Sequence, residues 1–245
     1  MILFMTSSPC CDDVPEGVDL PCILDESNDF VRNLRDCWPG SARLAVVCSD
    51  PENHDLNDEM CETFHRAFEY HGLSVSESIV LDDRLEEDAT LIVAESDVIL
   101  LGGGHVPTQH AFFEKIGLRD ILSWFDGIVI GISAGSMNCC DEVYAQPEMP
   151  GEAIDPDYER FIPGLALSEV MILPHYQMVK DNILDGMRLY EDITFGDSFG
   201  RAFIVLVDGS YVTRKDDVYT LWGEGYLIAD GVMTPICQSG EHIVL

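Results

Sequence analysis

The sequence predicts an α/β chain built on a mostly parallel sheet with helices on both faces. Apolar runs such as Leu44-Ala-Val-Val-Cys48 and Ile128-Val-Ile-Gly-Ile132 are continuous rather than alternating, as strands buried on both faces are. These runs take turns with segments of helical spacing, the pattern of strand–helix–strand units in a parallel sheet. From Ala202 to Val232 the pattern changes to short strand-like runs broken by Asp208-Gly209, Lys215-Asp-Asp217 and Asp230-Gly231, which read as hairpins and an antiparallel finish.

Met1-Ile-Leu-Phe-Met-Thr6 reads as a first buried strand, and the segment from Ala42 to Ser49 as another. Between Asp58 and His71, residues Met60, Phe64, Phe68 and His71 fall near helical spacing before Gly72 ends the helix. A strand from Leu73 to Leu81, a helix near Leu85 to Ala94, and the short strand Asp97-Val-Ile-Leu-Leu101 follow, the last closed by three glycines. Helical spacing resumes from about Thr108 to Trp124, and the strand at 127–132 then runs directly into Ser133. No internal repeat, low-complexity tract or Ser/Gly linker divides the chain, so one domain over residues 1–245 is expected. Its 47% hydrophobic residues can fill a single core.

Thirteen Lys and Arg against 45 Asp and Glu give a formal charge of −32. Such a field repels phosphate backbones and anionic membrane surfaces, so neither nucleic acid nor membrane is expected as a partner. The charge alone identifies no substrate. The nine cysteines form no C-x-x-C pair and no Cys/His spacing suited to zinc, so reduced thiols and no metal or cofactor are expected. The first residues lack the basic lead and cleavage site of a signal peptide, and no apolar run reaches the roughly 18–20 residues that span a bilayer. A cytoplasmic protein, monomeric or homodimeric, is the expectation.

The strongest local signal is Gly131-Ile-Ser-Ala-Gly135, because G-x-S-x-G between a buried strand and a helix describes a nucleophile elbow. Its glycines permit a strained turn that leaves the Ser133 hydroxyl exposed at a helix start. Gly102-Gly-Gly104 also ends a strand and can bring unhindered N–H groups to the same sheet edge, one donor of an oxyanion hole, with the Ala134 N–H as the other. A plain strand-to-helix turn is the competing reading, whereas a P-loop is excluded by the missing Lys-Ser/Thr. A serine nucleophile needs a base. Of seven histidines, His175 stands out, because Met171-Ile-Leu-Pro-His-Tyr176 reads as a short strand delivering a histidine at its end; a structural histidine is the alternative.

Strand-G-G-G, then G-x-S-A-G, then P-H-Y/F, then an apolar strand ending in D/E-G, in this order from about residue 1 to 230, resembles the family of dipeptidase E (aspartyl dipeptidase) and cyanophycinase. The resemblance implies a glutamine-amidotransferase-like, flavodoxin-like three-layer fold and a serine peptidase. It also implies Ser133 as nucleophile, His175 as general base, Asp208 as the orienting acid, and N–H groups of Gly103 or Gly104 and Ala134 as the oxyanion hole. Relatives usually carry Glu where this chain has Asp208, and Glu148, in a stretch where relatives also hold an acidic residue, is the alternative acid. His105 stands where relatives have Asn or Asp, and it is expected to contact substrate, line the pocket or pack. The region from Gln177 to Arg188 does not reproduce the arginine-containing stretch tied to an N-terminal aspartate, so aspartyl preference does not follow.

Short peptides are therefore the expected substrate. An esterase or amidase using the same triad, and a non-catalytic binding protein on the same fold, are the alternatives; a lost acid or a blocked pocket would mark the second. A glutamine amidotransferase would have Cys at the elbow, where this chain has Ser133, and Cys139 and Cys140 lie too far along the helix to replace it.

Overall fold

The computed structural model describes residues 1–11, 13–85 and 88–245. Its main sheet has eight strands in the order His242–Val244, Val218–Trp222, Tyr211–Lys215, Ile2–Thr6, Ile128–Ile132, Val98–Leu101, Ala42–Val47 and Val75–Leu81. The five strands from Ile2–Thr6 to Val75–Leu81 are parallel, and the remaining three extend the sheet antiparallel.

Side-chain alternation divides the core into two layers. On one face Leu3, Met5, Ala45, Val47, Ile99 and Leu101 pack against helices Ala89–Glu95, Val106–Lys115 and Leu118–Leu122. On the other, Phe4, Leu44, Val46, Val98, Leu100 and Ile130 pack against helices Phe30–Arg35 and His54–Tyr70. Both faces of the parallel strands are thus covered, which is why their sequences are continuously apolar. Among the described residues no helix is long and apolar enough to cross a membrane.

A second sheet of four strands, ordered Met171–Leu173, Ala202–Leu206, Gly225–Ala229 and Val232–Cys237, lies beside the elbow. Its Leu173, Phe203, Val205 and Ile228 share a core with Ala134 and Met137 of the short helix Ala134–Met137.

Three local expectations are corrected. Asp208-Gly209 is not a hairpin turn: Ala202–Leu206 pairs with Met171–Leu173 and Gly225–Ala229, while Tyr211–Lys215 pairs with Ile2–Thr6, so Asp208 sits where the chain crosses from one sheet to the other. The turns at Asp216–Asp217 and Asp230–Gly231 do close hairpins, all four residues having positive φ as a primed turn requires. Helical spacing from Thr108 to Trp124 is interrupted by Gly117, whose φ of 66° separates helix Val106–Lys115 from helix Leu118–Leu122. The helix drawn from Leu85 to Ala94 runs through residues 86–87, which lie outside the described residues; the described helix is Ala89–Glu95, capped by the Asp88 carboxylate accepting from the Thr90 N–H at 2.9 Å.

Close backbone approach fixes the central strands around the elbow. A Cβ on Gly135 would overlap the Leu101 carbonyl oxygen, a backbone atom of the neighbouring strand. Gly135→Ala is therefore expected to lower stability by about 1–3 kcal/mol through overpacking, whereas Gly40→Ala, with open space around its Cβ, should stay within about 0.5 kcal/mol. Urea unfolding of the two variants checks this, and equal midpoints would contradict the close approach.

Candidate active site

The strand Ile128–Ile132 lies between Ile2–Thr6 and Val98–Leu101, and Ser133 follows it at the carboxyl edge of the sheet, where ligands of parallel sheets bind. Ser133 has φ 51° and ψ −113°, a left-handed conformation that a side-chain-bearing residue adopts only when its surroundings enforce it. The enforcement is visible. Its N–H points inward and is shared between the Thr6 and Ser7 carbonyls at 3.1 Å each. The Ser136 hydroxyl donates to Thr6 O, and the Thr6 hydroxyl donates to Gly131 O, both at 2.7 Å. A Cβ on Gly131 would come within 2.8 Å of the Ser136 backbone, so only glycine lets strand and helix close so tightly. With its own N–H used for the fold, Ser133 leaves the Ala134 N–H, first in the helix and without an intrahelical acceptor, as the donor beside the hydroxyl. The helix has only four residues, so the aligned dipole expected to favour negative charge is one turn long.

His175 and Asp208 arrive together from the second sheet. Met171–Leu173 and Ala202–Leu206 are parallel, with Leu173 opposite Val205, and each functional residue lies two positions beyond its strand's end. Buried Pro174 leads into His175, which takes a left-handed conformation (φ 59°, ψ 29°). His175 Nδ1 lies 2.7 Å from Asp208 Oδ1. Because an ionised carboxylate only accepts, Nδ1 carries the proton and Nε2 is left with its lone pair.

Two residues not singled out in the sequence complete this arrangement. The Ser7 hydroxyl is fully buried, donates to Asp208 Oδ1 at 2.6 Å and accepts the His175 backbone N–H at 2.8 Å, so one side chain fixes both partners. The Gln177 amide donates to Asp208 Oδ2, while its oxygen accepts the Asp208 N–H at 3.1 Å. Burial pushes the Asp208 carboxyl up, but hydrogen bonds from His175, Ser7 and Gln177 outweigh it and hold the group below its ordinary range. A polar Thr6-Ser7-Ser8 step at the carboxyl end of a buried central strand was the only local sign of Ser7.

Ser133 and His175 line one cavity of about 410 Å³, together with Gly104 and Glu148. Glu148 stands at its wall, open to solvent, with no hydrogen bond to His175 among the described residues; Asp208, not Glu148, bonds the imidazole. His105 does not line the cavity. Its Nε2 donates to Glu152 Oε1 at 2.9 Å and its Nδ1 lies 2.8 Å from the Thr108 hydroxyl, while Glu152 Oε2 accepts the N–H groups of Glu148 and Met149 at 2.8 Å. His105 thereby ties the glycine loop to the segment that carries Glu148.

The glycine loop is held from beneath. The Ser49 hydroxyl donates to Gly103 O at 2.6 Å, and the Gln109 amide donates to Gly102 O at 2.7 Å. Since C=O and N–H of a trans peptide point in opposite directions, anchoring Gly103 O on Ser49 turns the Gly104 N–H away from Ser49. Gly103 itself abuts Ser133, a Cβ there lying 3.4 Å from the Ser133 Cβ. Cys139 and Cys140 are buried, and burial pushes both thiols up, Cys140 to about 11, which leaves them protonated and inert.

Because the folded chain holds Asp208 below its unfolded value of about 3.9, its contribution to stability is present above that pH and is lost as pH falls through the lower folded value. Wild type and Asp208→Asn should thus differ in urea midpoint near neutral pH and converge by about pH 2. A gap of constant size across that range would mean that the ionised carboxylate adds nothing.

A family model described as peptidase family S51 matches residues 47–221. That span includes the glycine loop, Ser133, His175 and Asp208. A solved structure of a candidate peptidase E protein from Listeria monocytogenes EGD-e is similar in fold, with a TM-score of 0.59, 15% identity, and 96% of this chain and 98% of that chain covered. No curated protein matches the chain. The family match over most of the chain, on a fold shared with that structure, makes this protein a member of peptidase family S51, a serine peptidase.

Proposed function

We propose that the chain hydrolyses short peptides through an acyl-enzyme on Ser133. The observation that carries this reading is the 2.7 Å bond from His175 Nδ1 to Asp208, which leaves Nε2 as a base in the cavity that Ser133 also lines. His175 Nε2 takes the Ser133 proton as the hydroxyl attacks the scissile carbonyl, and Asp208 holds the tautomer and stabilises the imidazolium. The Gly104 and Ala134 N–H groups receive the carbonyl oxygen as it becomes an oxyanion, a contribution of about 2.7–4 kcal/mol per donor. The imidazolium then protonates the leaving amine, and water, deprotonated by the same imidazole, releases the acid product. A non-catalytic binding protein is disfavoured, since the acid sits on its histidine and the cavity is open. A cavity of about 410 Å³ suits a short peptide rather than a protein loop. A cytoplasmic setting fits the buried thiols Cys48, Cys61 and Cys139, which persist where thiols stay reduced.

A fluorophosphonate probe is expected to label wild type at Ser133 and not Ser133→Ala; labelling of both to the same extent, read by intact mass, would reject the nucleophile. In turnover of a cleavable dipeptide, Asp208→Asn should lose on the order of 10⁴ in kcat, as triad acids do, and Glu148→Gln less, the reverse order moving the acid to Glu148. Ser49→Ala should slow probe labelling by roughly 10-fold, less than deleting an oxyanion donor outright, with its thermal midpoint little changed. An unchanged labelling rate would mean that Gly104 needs no support from Ser49.

A further inference from the structure

The cavity's own chemistry, given the peptidase reading above, says what kind of leading residue it admits. One flank is mainly apolar, formed by Val179, Ile183, Leu184 and Leu189 with Asn182 among them, and no lysine or arginine lines the cavity among the described residues. Of the basic residues nearest in sequence, Lys180 is exposed and outside the lining, and Arg188 is held by Asp192 through its Nε and Nη2 at 2.9 and 2.7 Å. Glu148 is the carboxylate on the cavity wall. Its backbone N–H is held by Glu152, and no described residue hydrogen-bonds its carboxylate, whose acceptors are open to a ligand. Crowding by protein atoms pushes that carboxyl up even though the residue remains open to solvent, and a cation brought beside it would relieve the penalty.

Wall and carboxylate are joined into one unit. Asp185, in the turn between strands Ile183–Leu184 and Met187–Arg188, accepts the Gly151 N–H at 2.9 and 3.0 Å and the Ala153 N–H at 3.1 Å. The segment bearing Glu148 is therefore hydrogen-bonded to the hairpin bearing Ile183 and Leu184. An aspartyl side chain in this space would meet a carboxylate, no lysine or arginine among the described residues, and a protein of charge −32.

We propose that the cavity selects peptides whose leading residue has a free α-ammonium and an uncharged apolar side chain, the ammonium resting on Glu148 and the side chain on the Val179–Leu189 wall, and that it rejects aspartyl and glutamyl residues there. Glu148 is then a specificity residue that measures the peptide's free end, and the mainly apolar wall gives a preference for leucine- or methionine-like side chains.

Calorimetric titration of Ser133→Ala tests this without turnover, using Leu-Ala, Asp-Ala and N-acetyl-Leu-Ala. Leu-Ala should bind at least about 30-fold more tightly than either of the others, and adding Glu148→Gln should cost Leu-Ala roughly 10-fold and narrow its lead over Asp-Ala. The same order should appear as protection of Ser133 from the fluorophosphonate in the unsubstituted protein, which guards against a folding defect in the variant. Asp-Ala binding as well as Leu-Ala, the acetylated peptide binding as well as the free one, or none of the three binding would each overturn the proposal. Loss of the peptidase reading looks different: the unsubstituted protein would then fail to take the probe at Ser133, whatever the order of peptide affinities.

Discussion

The left-handed turn at Ser133 is the constraint on which the rest of this molecule depends. A non-glycine residue at φ 51° costs on the order of 1–3 kcal/mol, and here that cost is met by the packing around it. Thr6 and Ser7 hold its N–H, Gly131 and Gly135 let neighbouring backbone come close, and the Ser136 hydroxyl locks onto Thr6. These partners lie on central parallel strands, just beyond one, or in the turn itself, so the Ser133 backbone is tied directly to the sheet.

Around that fixed point the second sheet acts as a delivery arm. Two parallel strands end side by side and release His175 and Asp208 at the same height, and Ser7, from the end of the main sheet's own Ile2–Thr6 strand, reaches across to hold both. The His175–Asp208 pair is thereby tied to the sheet that carries Ser133. The glycine loop is anchored in a similar way, through Ser49 and Gln109 beneath it and His105–Glu152 beside it.

Much of the fold was legible because burial on two faces leaves a continuous apolar signature, as at Leu44–Cys48 and Ile128–Ile132, and because a strained elbow demands glycine at fixed offsets. His175 was legible from its place after a proline that closes an apolar run. Asp208 could be named only by resemblance, and Asp208-Gly209 was misread as a hairpin because a D-G pair signals a chain reversal without saying which strands flank it. Gln177 and Ser49 left no pattern and Ser7 only a polar step at a strand end: Ser7 meets Asp208 across 201 positions, and Ser49 meets Gly103 across 54. Such contacts exist only once the sheet order is set. Glycine 117 shows the opposite limit, a single φ overriding an otherwise continuous helical pattern.

The most direct test of the central claim is a crystal structure of the protein after reaction with a fluorophosphonate. Phosphorus is expected on Ser133 Oγ, with the turn at Ser133 unchanged, the phosphoryl oxygen within hydrogen-bond reach of the Gly104 and Ala134 N–H groups, and the His175–Asp208 bond intact. A phosphoryl oxygen facing solvent with both N–H groups unoccupied, or an adduct on another residue, would contradict it.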